Sequence, residues 1–133
     1  NEMHVKVMPI DFGGEPSTDE LKKRYRNRRA EMYWEAGEMF ANGDVSLKND
    51  LVLIKQLNNV KYKPSEGKIL IEPKADIKAR MSGKSPDRAD AFVLGLHGLK
   101  FIRDEDQEQY RKIEFHSIPV RGYGWQQREA SYV

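Results

Sequence analysis

Ser85-Pro86-Asp87-Arg88-Ala89-Asp90-Ala91 opens the clearest helix in this chain, and that helix does most to limit the possible folds. Ser85 is an N-cap candidate, and Pro86 suits the first helical position, where a missing N–H costs nothing. Asp87 and Asp90 complement the positive end of the helix dipole. From Asp87 to about Leu99, the residues Ala89, Phe92, Val93 and Leu96 recur on one face. A helix with one apolar face needs a second layer to bury it against.

The other segments predict what that layer contains. Val5-Lys6-Val7-Met8-Pro9-Ile10 is β-rich and predicts an opening strand, broken by a turn at Asp11-Phe12-Gly13-Gly14. Ser17 followed by Glu20 is a capping-box pattern that starts a helix. Leu21, Tyr25, Met32, Ala36 and Phe40 continue it at near-helical spacing, with Tyr33, Trp34 and Phe40 read as core, a break possible near Asn27 and a stop at Asn42-Gly43. Leu51, Ile54 and Leu57 predict a short amphipathic helix. Val60 to Lys63 and Lys68 to Glu72 predict a hairpin across Pro64-Ser65-Glu66-Gly67, and Lys74 to Met81 a further short helix. The expected class is therefore α/β, with a domain over 1-100 and an extension or tail over 101-133 that has β character near Ile113 to Val120.

At 133 residues the chain has room for one core, and it starts without Met, so it reads as either a processed chain or a piece of a longer protein. The balance of 23 Lys plus Arg against 21 Asp plus Glu gives a net charge of +2, so any nucleic-acid signal must come from where the charges sit. The lack of Cys excludes disulfides, thiol catalysis and Cys-ligated zinc. No apolar run approaches the roughly 18 residues of a spanning helix, and no signal peptide is evident, so no membrane role and an intracellular setting are expected.

Asp87 and Asp90 carry the chemistry. Three residues apart at a helix start, they lie on nearly the same face, where two like charges are costly unless a cation or solvent relieves them. Hard carboxylate oxygens suit Mg²⁺ or Mn²⁺, which in phosphodiester hydrolysis activate water and stabilise the leaving oxygen. The commoner role of such acids is to complement the dipole and face water. Both readings remain open on spacing alone.

The run Lys84-Ser85-Pro86-Asp87-Arg88-Ala89-Asp90-Ala91, ahead of an apolar helix, resembles the last motif of phage terminase large-subunit nucleases. The resemblance extends upstream through Asn27-Arg28-Arg29-Ala30-Glu31-Met32, Lys68-Ile69-Leu70-Ile71-Glu72-Pro73-Lys74 and Lys78-Ala79-Arg80, covering roughly Val5 to Leu99. It implies an RNase H-like mixed sheet flanked by helices, with acids from separate strands and a final helix holding two Mg²⁺ or Mn²⁺ ions to cut double-stranded DNA concatemers during genome packaging. It implies Asp87 and Asp90 as catalytic metal ligands, Asp87 foremost. The other carboxylates are expected upstream of the segment resembling Met3 to Gly14, so the N-terminal strands are expected to be incomplete here. The implied partners are double-stranded DNA, the terminase small subunit and the portal, in an oligomeric motor in the cytoplasm of a phage-infected or lysogenic bacterium. The alternatives are a non-catalytic DNA-binding or assembly fragment of a prophage terminase, and an RNase H-type junction resolvase.

Two basic groups are candidates for DNA contact. Lys74, Lys78, Arg80, Lys84 and Arg88 surround the Asp pair, where they could hold phosphates. Arg28 and Arg29 close Lys22-Lys23-Arg24-Tyr25-Arg26-Asn27-Arg28-Arg29, six cations in eight residues. Gly83-Lys84-Ser85 lacks the first glycine and leading strand of a phosphate-binding loop, so no nucleotide is expected. His97 lies seven residues beyond Asp90, about 10 Å away at about 1.5 Å per residue, and reads as a surface or helix-end residue. His4 and His116 are isolated.

Overall fold

Asn27 divides the first helical stretch in two. A computed structural model describes residues 7–102, in which α1 covers Asp19–Lys22 and α2 covers Arg28–Ala41. The Asn27 side chain accepts from the Ala30 N–H and so caps α2. Two more of the unpaired N–H groups at this end are met from upstream, Arg28 N donating to Gly14 O at 2.7 Å and Arg29 N to Phe12 O at 2.9 Å. The segment expected as a turn, Asp11-Phe12-Gly13-Gly14, does turn, with Gly14 N donating to Asp11 O at 3.2 Å, and also serves as a cap. Val7–Ile10 is not a strand, since Pro9 lacks an N–H and no ladder partner lies alongside among the described residues. Asn1 to Lys6, and the expected β character near Ile113 to Val120, fall outside the described residues.

Thr18, not Ser17, caps α1, accepting from Leu21 N. Beyond α1, Tyr25 leaves the helical pattern to form a parallel bridge with Ile69. The hairpin consists of β1 (Tyr62–Ser65) and β2 (Lys68–Ile71), antiparallel, with Tyr62 opposite Ile71 and Ser65 opposite Lys68. Its turn is tighter than the spacing suggested, because Pro64 belongs to β1 and only Glu66 and Gly67 form the loop. Both have positive φ, 50° and 76°, as a two-residue hairpin loop with the right twist requires.

Helix α3 (Leu51–Asn59) precedes the hairpin, with Asp50 capping it through Leu53 N; α4 (Lys74–Arg80) and α5 (Asp87–Gly98) follow, and a short 3-10 turn, Leu99–Phe101, continues α5. Gly83, at φ +80°, closes α4, its N–H donating to Lys78 O at 2.7 Å, and so serves as a helix terminator. The described architecture is thus mixed α/β, with α2 packed against β2 of the two-stranded sheet and α5 packed against α2 and α3. One apolar cluster joins Tyr25, Ala30 and Ile71, and another joins Met32, Ala36 and Val93 where α2 meets α5. Phe40 stacks on Phe92 and Trp34 meets Tyr62 edge-on, so the α2 aromatics serve packing as expected. None of the described helices is long and apolar enough to cross a membrane.

Candidate functional site at the head of α5

Pro86 occupies the cap position of α5, one residue earlier than its expected place, and Ser85 makes no capping bond. The reason is tertiary. Gln56 on α3, itself buried, accepts from Ala89 N at 3.0 Å and meets the N–H that a local cap would have served. Asp87 and Asp90 therefore sit in the first turn on a start fixed by α3.

Their surroundings differ sharply. Asp87 is exposed, and no hydrogen bond or ion pair engages its carboxylate among the described residues. Asp90 is 8% exposed. Lys74, the first residue of α4, places Nζ 2.6 Å from Asp90 Oδ2; the Tyr33 hydroxyl donates to Oδ1 at 2.6 Å; and an Arg29 nitrogen stands 3.6 Å from Oδ1. The cation expected beside this carboxylate is supplied by the protein itself. A lysine in the first turn of a helix opposes the dipole, and Asp90 offsets that cost for α4. Burial and the bond to Asp90 push the Tyr33 hydroxyl well above its usual range, so it stays a donor.

Arg29 lies over the Tyr33 ring at 5.4 Å and has two buried nitrogens without hydrogen-bond partners among the described residues, so it faces inward. Arg28 donates through Nε to Glu15 O at 2.8 Å and approaches Glu31 at 3.8 Å. The rest of that basic run is matched residue by residue: Lys22 with Glu15 and Asp19, Lys23 with Glu20, Arg24 with Glu38, Arg26 with Glu66. The six cations form paired surface and interior contacts instead of a free stripe.

The group around Asp87 is more open. Lys78 and Lys84 are exposed without ion-pair partners among the described residues, and Arg88, also exposed, has only long contacts of 3.3 Å to Asp50. Arg80 behaves differently. It forks onto Glu72, with Nη1 2.7 Å from Oε2, and also reaches the Asn59 carbonyl, tying α4 to β2 and the end of α3. The Arg80 bond, opposed by burial and aided by Lys61 N–H, holds the Glu72 carboxyl below the usual carboxylate range.

His97 lies in the last turn of α5, a helix end as expected, but not at the surface: it is 3% exposed, edge-on to Phe101, with Arg28 Nη1 3.4 Å from Nε2. Burial lowers its pKa below the ordinary imidazole value. Nothing in local sequence signalled this, because α2 and the turn after α5 cover it. Glu31 was equally hidden from sequence reasoning. It is fully buried and binds the Ser17 N–H at 2.7 Å, the Ser17 hydroxyl, and Lys100 at 2.9 Å. A scan against protein-family models found no match for this chain, and neither did searches of curated proteins and of solved structures.

Proposed function

We propose that this chain is part of the metal-dependent endonuclease of a phage terminase large subunit, with an RNase H-like sheet completed by strands and carboxylates upstream. The observation that carries this reading is the contrast at the head of α5. Asp87 is an exposed carboxylate without a cation partner among the described residues, at a helix start whose sequence resembles the family's last motif. An open carboxylate of this kind fits Mg²⁺ or Mn²⁺. Asp90, as it stands, fits an ammonium, and it joins a metal site only if Lys74 withdraws. A bound divalent ion would supply water activation and leaving-group stabilisation. The chain's own share is to hold Asp87 outward, to fix Lys74 through Asp90, and to offer Lys78, Lys84 and Arg88 to phosphates.

A second reading gains support from the same contacts. Because Lys74, Tyr33 and Arg29 satisfy Asp90, the module is also suited to bind DNA or assemble without cutting it. The experiment is plasmid nicking by the protein carrying its upstream coding sequence, in Mg²⁺ or Mn²⁺ against a chelator. Metal-dependent nicking supports the nuclease. Retained duplex binding without nicking in either metal favours the non-catalytic module.

A further inference from the structure

Glu31 and Glu35 lie one turn apart on α2, so both carboxylates project from one face, and His97 reaches them from the last turn of α5. One oxygen of each carboxylate and one ring nitrogen of His97 all lie within 4.8 Å of one another. Ligand bonds of about 2.0–2.2 Å bring three such atoms to roughly 3–3.6 Å separations, so small side-chain adjustments gather them on one ion.

Two further observations point to a cation here. His97 is 3% exposed, and its Nδ1 has no hydrogen-bond partner among the described residues. The Arg28 guanidinium, which only donates, lies 3.4 Å from Nε2, so an ion on Nδ1 requires Arg28 to draw back and leave Nε2 the proton. A buried, unpaired ring nitrogen is costly, and a metal bond is one way to satisfy it. The second is Lys100, whose Nζ stands 2.9 Å from Glu31 and 2.8 Å from Glu35. The two carboxylates thus already draw a positive charge to this point. The lysine is one-third exposed, at 35%, and its flexible stem lets the ammonium leave for solvent.

We propose that Glu31, Glu35 and His97 form a binding site for one divalent first-row cation, separate from Asp87, whose place the Lys100 ammonium takes when the ion is absent. With Arg28 beside Glu31, the two carboxylates, the ammonium and the guanidinium sum to zero, and a dication in place of the ammonium adds one positive charge, which its bonds to the three ligands must offset. The mixed imidazole and carboxylate donors suit Mn²⁺, Fe²⁺, Co²⁺ or Zn²⁺ better than Mg²⁺. The Arg28 guanidinium, beside His97 and Glu31, opposes the ion and sets a limit on affinity.

The test is calorimetric titration of the whole chain with Zn²⁺ and with Mn²⁺, in an Asp87→Asn background that removes the proposed nuclease ligand. One equivalent is expected to bind, Lys100→Ala is expected to tighten binding at least tenfold, and His97→Phe is expected to abolish it. Lys100→Ala with unchanged affinity or no saturable binding overturns the proposal, as does full binding by His97→Phe. If His97→Phe does not fold, the Lys100→Ala result decides alone. Binding seen only with Asp87 intact overturns this site while leaving the nuclease reading standing.

Discussion

Lys74 Nζ lies 2.6 Å from Asp90 Oδ2, so the first residue of α4 is pinned to the first turn of α5. With the largely covered Arg29, two of its nitrogens buried, on the other side of the same carboxylate, Asp90 is a structural hub whatever else it does. Asp90→Ala leaves the Arg29 guanidinium buried without a counter-charge, a loss of about 3 kcal/mol for a broken buried pair. Asp87→Asn touches no partner among the described residues and should stay within about 0.5 kcal/mol of the parent. Urea unfolding of both variants checks this difference; equal stabilities would show that Asp90 anchors nothing.

Tyr25 is 1% exposed and packs against Ala30 and Ile71, yet its hydroxyl has no hydrogen-bond partner among the described residues. Burial pushes its pKa up to about 12, which keeps the hydroxyl neutral but does not satisfy it. Tyr25→Phe removes the stranded group and keeps the ring. It is expected to raise stability by about 1 kcal/mol, the lower end of the cost of an unpaired buried polar group. A drop in thermal unfolding temperature would reveal a partner for the hydroxyl.

Stability should fall with acid in two stages. The His97 pKa is lowered from 6.5 by burial, then by the nearby Lys100 and Arg28 charges, with Glu31 opposing. Below 6.5 the unfolded chain therefore takes up a proton that the folded chain resists, and stability declines as pH drops. The Glu72 pKa is lowered from 4.5, chiefly by the Arg80 bond, so its contribution is complete above 4.5 and is lost as pH falls through the folded value. Urea midpoints at about pH 7.5 and about pH 5.5 isolate the first stage. His97→Phe should shrink that difference, and Arg80→Gln should move the lower, acid transition upward in pH. An unchanged pH 7.5 to 5.5 difference in His97→Phe would exclude His97 as its source.

Much of the local structure was legible because it is local. The Asn27 break, the amphipathic spacing of Leu51, Ile54 and Leu57 in α3, and the hairpin all announce themselves through residues within a few positions. What sequence missed depends on distant partners. Ser17 looked like a cap but serves Glu31, 14 residues on, and Ser85 is displaced by Gln56 from another helix. Arg26 meets Glu66 across 40 positions, so a run that reads as a free basic stripe is neutralised in three dimensions. At the candidate site, the identity of Asp87 and Asp90 was visible; their division into an open and an engaged carboxylate was not, because Lys74, Tyr33 and Arg29 arrive from two other helices.

The most direct test of Asp87 as a metal-holding carboxylate is Mn²⁺-dependent nicking of supercoiled plasmid by the protein with its upstream coding sequence, comparing the parent with Asp87→Asn. The predicted result is loss of nicking by at least about 100-fold, with duplex DNA affinity and unfolding temperature unchanged. Full nicking by Asp87→Asn would contradict it.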